Sequence, residues 1–384
     1  MGLASVYRQE ILCYLNSVNL TSLAMGLSLS LSFSLTLREA TLEMKICCAL
    51  VGYGYWGHLL AAKLESSPHF SLRSICDLKF NRKSSRSLRS SEVDSHPQRT
   101  ASLEHILHDH DIQAVFVAVP PHSHYEVTLA ALKANKHVWL EKPCCENEDE
   151  LAELIDLARR RELTLQLDFI MLFNPLIQEM KSLTGTVING PQLIFRAVRH
   201  NLTRSNQGLS LDPYFESNSV QKDLGLEAVK DLGIHDLSVL KYLLPELCMS
   251  HLEISLKPYF VGDHSKTQYW LLTLNSTTLN AELNLSQSCD LRRRSIEWGV
   301  EEDRFLCRSE KDQGEVAERL YRIHEGTSLL LMEAPKGGID PLDRALGTFY
   351  QSINMRRSLV DLWKIGLWCH KVIHASSAFN HQSF

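Results

Sequence analysis

The stretch from Ile46 through Gly57 constrains this chain more than any other part of it. Ile46-Cys-Cys-Ala-Leu-Val51 is a continuous apolar run, as a strand buried on both faces requires. Gly52-Tyr53-Gly54-Tyr55-Trp56-Gly57 follows without a spacer, and Leu59, Leu60, Ala62 and Leu64 then recur near helical spacing. A strand, G-x-G-x-x-G and a helix, in that order, open a dinucleotide-binding unit. The first glycine permits the tight turn, the second lets the backbone approach a pyrophosphate, and the third lets helix and strand pack closely. The helix N-terminus adds free N–H groups and the positive end of its dipole. Gly52, Gly54, Tyr55, Trp56 and Gly57 are therefore the expected phosphate-binding loop. A second strand over residues 72–76 ends at Asp77. A carboxylate there accepts hydrogen bonds from the adenosine ribose and repels a 2′-phosphate, so NAD is expected. Lys79 and Arg82 lie close by and keep NADP possible. The plainer alternative is a tight turn with a capping aspartate.

Alternation continues along the chain. Residues 103–108, 125–134 and 151–161 read as helices, and residues 114–119, 137–140 and 163–167 as strands. Strands alternating with helices of this length predict a doubly wound parallel sheet, an α/β Rossmann domain over residues 44–168. Ligands bind at the carboxyl ends of such strands, where Asp77, Pro120 and Lys142 stand. Beyond about residue 170 the pattern changes. Residues 193–198, 251–256, 269–274 and 278–285 read as strands, residues 227–244 as one strong helix, and residues 341–353 and 364–375 as closing helices. Residues 169–384 are thus expected to form an α+β domain, with antiparallel pairing between the last two strands. Within the strong helix, Asp231 and His235 stand four apart and share one face. A carboxylate and an imidazole so placed can orient and deprotonate a hydroxyl, although such pairs are common on ordinary surfaces.

Composition bounds the rest. The formal charge of −5 argues against nucleic acid or an anionic membrane as the main partner. The ten cysteines include two adjacent pairs but no C-x-x-C, so buried thiols in a reducing cytoplasm are expected, with no metal. The serine-rich, basic residues 79–99 read as a solvated loop. Residues 11–37 carry no charge. Three readings compete for residues 1–43: a membrane anchor interrupted by Ser, Asn and Thr, an export signal without a basic start, or a leader outside the natural product. Met44, followed by Lys45 and the first strand, looks like a native start, and residues 1–43 are expected to be non-structural.

Five segments together resemble one family: Ala49-Leu-Val-Gly-Tyr-Gly-Tyr-Trp-Gly57, Pro120-Pro-His-Ser-His-Tyr125, Glu141-Lys-Pro143, Phe173-Asn-Pro175 and Asp231-Leu-Gly-Ile-His-Asp236. In order and separation they are similar to the glucose–fructose oxidoreductase, inositol dehydrogenase and rhizopine catabolism (Gfo/Idh/MocA) proteins. The resemblance implies a Rossmann domain plus an α+β domain with an open, largely antiparallel sheet, NAD or NADP, a sugar-like substrate, a CH–OH dehydrogenase and a homo-oligomer, dimer or tetramer. It carries the family lysine onto Lys142 and the family aspartate and histidine onto Asp231 and His235. It also implies a cis bond before Pro143. On this reading the nicotinamide lies near Pro120, His124, Glu141 and Lys142. His235 takes the hydroxyl proton, Asp231 orients the substrate, and Lys142 stabilises developing oxyanion charge. Cys144-Cys145 and the region from His200-Asn201 through residue 221 depart from the family pattern. The rival class is a non-catalytic sensor on the same fold, which would keep the glycines but lose the lysine or histidine. A dehydratase- or glycosidase-like use of bound cofactor is a second rival.

Overall fold

Buried apolar runs set the first sheet. β1 (Ile46–Val51), β4 (Ala114–Val117) and β5 (His137–Leu140) have almost no exposed side chains, as strands covered on both faces must. The computed structural model describes residues 44–81, 97–187, 190, 192–202, 224–259, 269–289, 293–312, 315–334, 340–356 and 361–379. Residues 45–384 make one unit containing two sheets. The expectations for residues 1–43, for Arg82 and for residues 203–221 lie outside the described residues.

The first sheet adds β2 (Phe70–Cys76), β3 (Gln98–Thr100) and β6 (Leu165–Leu167) in the order β3-β2-β1-β4-β5-β6. Every pair in it is parallel. The winding direction reverses between β1 and β4, which opens the ligand crevice of a doubly wound sheet at their carboxyl ends. Helices α1 (Tyr55–Ser66), α2 (Leu103–His108), α3 (His124–Lys133) and α4 (Glu148–Arg160) make the crossovers. After β6 come α5 (Pro175–Leu183) and then β7 (Leu193–Leu202).

The second sheet has eight strands in the order β14-β13-β12-β11-β7-β10-β9-β8. All of its neighbours are antiparallel except β7 and β10 (Leu279–Cys289), which run parallel. β9 (Tyr269–Asn275), β7 and β10 match the expected strands and run further at their C-terminal ends, whereas β8 (Glu253–Tyr259) begins two residues later than expected, because Met249–His251 form a 3-10 turn. Four strands were not expected: β11 (Arg293–Gly299), β12 (Asp303–Asp312), β13 (Glu315–His324) and β14 (Thr327–Glu333). Their sequences are dense in charge and hide the two-residue period. Cross-strand ion pairs accommodate those charges, among them Arg304–Glu297 at 3.1 Å, Arg322–Asp303 at 2.6 Å and Arg319–Glu333 at 2.8 Å.

The single helix expected over residues 227–244 is also corrected. It is α6 (Leu224–Ala228), a π turn (Val229–Gly233) and α7 (Ile234–Leu243). The Ile234 N–H reaches back five residues to the Val229 carbonyl. At Gly233, a Cβ would stand 3.0 Å from Leu285 Cδ1 of β10, so the widened turn lies hard against the second sheet.

Two closing helices, α8 (Pro341–Met355) and α9 (Leu362–Phe379), return to the first sheet. Phe349 of α8 packs its ring 5.8 Å from Phe70, 5.6 Å from Phe116 and 5.8 Å from Trp139. Trp363 donates from Nε1 to the Leu165 carbonyl at 2.8 Å. At Gly366 a Cβ would meet Leu167 Cδ1 at 2.6 Å, so α9 can approach β6 closely only with glycine there.

Candidate active site

The glycine loop fills the crevice between β1 and β4. Gly52 has φ +99°, and a Cβ on it would lie 2.4 Å from the Ala118 carbonyl oxygen. A Cβ on Gly57 would lie 2.1 Å from the Gly52 carbonyl oxygen. Both glycines are thus demanded by backbone packing. Gly54 differs: a Cβ there would meet nothing within 4 Å. That open space over a bare backbone is where a pyrophosphate needs to come close. No side chain caps the N-terminus of α1 and no acidic residue sits in its first turn, which leaves its N–H groups to a phosphate. The residues present fit a dinucleotide. Tyr55 is largely exposed at the start of α1, with the Trp56 ring 6.2 Å from it.

Asp77 stands one residue past β2. Its Oδ2 accepts from the Tyr53 N–H at 2.7 Å and its Oδ1 from the Lys79 N–H at 2.8 Å. The carboxylate is therefore pinned beside the glycine loop, and each oxygen keeps a lone pair for a ribose hydroxyl. The Arg99 guanidinium lies 5.6 Å from the Tyr53 ring and 5.5 Å from the Phe80 ring, a cation near this end of the crevice; the loop expected over residues 79–99 is corrected here, because Arg99 is paired into the first sheet as part of β3.

Pro120 is exposed just past the end of β4. His124 is only 1% exposed. Its Nδ1 lies 2.7 Å from the Pro143 carbonyl oxygen and its Nε2 2.8 Å from the Val119 carbonyl oxygen. Burial pushes this imidazole below the usual histidine range, against the pull of the two carbonyls. His124 thus braces two strand-end loops through backbone atoms, and its ring is enclosed rather than turned to the crevice.

Glu141 and Lys142 extend β5. The Glu141 N–H donates to the Val117 carbonyl at 3.1 Å, and the Lys142–Pro143 peptide is cis. Alternation along the strand sends the Glu141 carboxyl inward, where it is 3% exposed. Lys142 Nζ donates to Asp231 Oδ1 at 2.8 Å and to the Asp231 carbonyl oxygen at 3.0 Å. The widened π turn loosens the carbonyl ladder at Asp231 and gives the lysine that second acceptor. An ammonium has three N–H donors, so Lys142 keeps one direction beyond Asp231. The lysine side chain is 10% exposed and the aspartate 44% exposed, so this pair sits at the wall of an opening rather than inside the core.

His235 follows at the first turn of α7. Its Nδ1 is buried and has no hydrogen-bond partner. Burial first, then the positive charges of Lys142, Arg199 and Arg294, hold its imidazole far below the usual range, hence neutral at physiological pH. Lys142 and Asp231, 89 positions apart in sequence, thus meet directly, and His235 follows four residues after Asp231, where the Lys142 charge reaches it. Beneath them, Arg199 of β7 clamps Asp236, with Nη2 to Oδ1 at 2.6 Å and Nε to Oδ2 at 3.0 Å. The two side chains are 5% and 1% exposed. Sequence reading missed Arg199 because its partner is 37 positions away.

Cys48, Cys144 and Cys145 are buried free thiols, Cys47 is partly buried, and burial raises all four above the ordinary thiol range. His200 faces Asn284 on the second sheet at 2.7 Å. His370 and His374 of α9 are four apart, but no third metal-ligand side chain joins them among the described residues. No helix among the described residues is long and apolar enough to cross a membrane.

Residues 46–169 match the family model described as the oxidoreductase family, NAD-binding Rossmann fold, of the Gfo/Idh/MocA proteins. The uncharacterized oxidoreductase YrbE of Bacillus subtilis is 26% identical over 202 residues, 52% of this chain and 54% of that protein. The match thus spans about half the length of that relative. Among solved structures, the UDP-N-acetylglucosamine 3-dehydrogenase GnnA of Acidithiobacillus ferrooxidans superposes with a TM-score of 0.63 at 20% identity, covering 88% of this chain and 99% of that one. KijD10, a 3-ketoreductase of Actinomadura kijaniata in complex with NADP, gives 0.65 at 17% identity, covering 87% and 97%. At these identities the two structures establish a shared fold. The cofactor class comes from the family model, which is of an NAD-binding Rossmann fold, and KijD10 itself was solved with NADP.

Proposed function

We propose that this chain, a Gfo/Idh/MocA oxidoreductase through residues 46–169, moves a hydride between NAD(P) and a carbinol of a sugar, cyclitol or sugar derivative. One observation carries the reading: Lys142 Nζ lies 2.8 Å from Asp231 Oδ1, four residues before His235, whose imidazole is neutral with Nδ1 unpartnered. The 3-dehydrogenase named above, which acts on UDP-N-acetylglucosamine, agrees with that substrate class. A cytoplasmic homo-oligomer is the form we assign to it. Self-association has a candidate surface in β14, the edge strand that leaves Leu329, Leu330 and Leu331 exposed.

When bound, nicotinamide supplies the hydride acceptor or donor. The glycine loop and the N-terminus of α1 hold the phosphates, and Asp77 holds the adenosine ribose. Asp231 orients the substrate hydroxyl. His235, neutral and with a free ring nitrogen, takes the hydroxyl proton as the C–H bond gives up its electron pair. The remaining N–H of Lys142 meets the negative charge that develops on the oxygen. In the reductive direction the same atoms return the proton.

A scan of sugars, inositols and nucleotide sugars for change in nicotinamide absorbance tests the assignment. With a substrate found, His235→Ala is expected to cut kcat roughly 10²–10⁴-fold while cofactor Kd stays near wild type. Lys142→Ala should cut kcat as well. Cofactor binding without turnover of any member of the scan, or His235→Ala at the wild-type rate, would remove the enzyme reading.

A further inference from the structure

Glu141 and Asp168 each stand one residue beyond the end of a strand, β5 and β6. These strands are adjacent and parallel, and Leu140 is paired with Leu167. In a parallel pair, residues in register point to the same side, so the next residues along set two carboxyl groups next to one another. Backbone bonds hold them there: the Asp168 N–H donates to the Leu140 carbonyl at 2.9 Å. Each side chain is 3% exposed. Glu141 Oε2 and Asp168 Oδ1 are both buried, and neither has a donor in reach when both groups are ionised. The register thus sets the two carboxyl groups side by side, and each acts on the ionisation of the other.

Two carboxylates in contact in a buried site cannot both be charged. One proton resolves both difficulties, because it removes a charge and makes an O–H donor for the orphaned oxygen opposite. The surroundings allow one negative charge and no more. Lys142 is the cation whose charge draws both groups toward ionisation. The neighbouring thiol, Cys144, sits after the cis peptide with Cys369 of α9 beside it, and burial keeps both thiols protonated. The Lys142 backbone N–H pulls Glu141 back toward ionisation, but less than burial pushes it away.

We infer that Glu141 and Asp168 share a single proton at neutral pH, and that this acid–carboxylate pair is the floor that positions Lys142 against Asp231. The shared proton is independent of the proposed reaction; the positioning role rests on it. The proton also fits the direction of each titration. Burial raises Glu141 well above the carboxylate range and takes Asp168 to about 6. A carboxyl group whose folded pKa is raised binds its proton more tightly when folded. Its contribution to stability is present at low pH and is lost as pH rises from about 4 through about 6 for Asp168, and further for Glu141.

Infrared spectroscopy of the whole protein at pH 7 tests this. Wild type should show a carboxylic-acid C=O band that shifts in D₂O and vanishes in Asp168→Asn, whose amide N–H replaces the shared proton. Thermal unfolding against pH gives a second measurement: the loss of stability above pH about 4 should flatten in Asp168→Asn. With a substrate in hand, Asp168→Leu should lower kcat at unchanged cofactor Kd, and Asp168→Asn should recover most of it. Absence of the band in folded wild type, or its persistence in Asp168→Asn, overturns the shared proton whatever the turnover. A wild-type kcat in Asp168→Leu overturns the positioning role. The expected band in a protein that turns over none of the scanned substrates would support the shared proton while the proposed reaction failed.

Discussion

Removing the Asp236 carboxylate strands a buried cation. Arg199 and Asp236 are 5% and 1% exposed and are joined by three N–H···O contacts between 2.6 and 3.1 Å. In Asp236→Ala the guanidinium stays charged, because arginine does not lose its proton in proteins, and it has no water to turn to. Breaking a buried pair from one side costs about 3–5 kcal/mol. The unfolding equilibrium constant should therefore rise roughly 160- to 5,000-fold. Replacing both partners with apolar residues of similar size, as in Arg199→Met with Asp236→Leu, leaves no charge stranded and should restore much of the loss. Urea unfolding followed by near-ultraviolet circular dichroism reads both variants. The pair also ties α7 to β7, so Asp236→Ala should loosen the Asp231–Lys142 contact while NAD still binds the distant glycine loop. An Asp236→Ala protein within about 1 kcal/mol of wild type, below the range for a desolvated pair, would refute the reasoning. So would a double variant that is less stable than either single one.

Two further predictions concern the cofactor end of the crevice. Asp77→Ser removes a charged acceptor facing the Tyr53 and Lys79 N–H groups and should weaken NAD binding roughly 10- to 100-fold, with a smaller loss for NADP. Tighter NADP than NAD binding by wild type, measured by titration, would contradict the assigned preference. Gly54→Ala and Gly52→Ala separate recognition from folding. The Gly54 substitution meets nothing within 4 Å and should leave stability within about 0.5 kcal/mol of wild type while blocking the pyrophosphate. Gly52→Ala forces a Cβ to 2.4 Å from a backbone oxygen at positive φ, so it should destabilise the fold by about 1–3 kcal/mol or more. Equal stability of the two variants, or unchanged NAD binding in Gly54→Ala, would count against the cradle.

The sequence by itself determined the Rossmann half. A βα unit is local: the apolar run of β1, the glycines and the face of α1 lie within about twenty residues, and their periods record their own burial. It also put Asp77, Pro120 and Lys142 at strand ends, because alternation locates those ends. Helical spacing marked Asp231 and His235 as a pair. Only the tertiary structure decided what each of these residues touches. The charges of β11 through β14 masked their strand period, since their compensation comes from neighbouring strands. The π turn at Asp231 arises where the helix presses on β10, which no local pattern records. His124 stands in a motif that suggests a ligand contact, yet packing turned both its nitrogens to backbone carbonyls. The contacts of Lys142 with Asp231, Arg199 with Asp236 and Glu141 with Asp168 join residues between 27 and 89 positions apart. A sequence period reports how one element is buried. Which buried charge meets which is set by register and packing between elements, and those are fixed only when the sheets assemble.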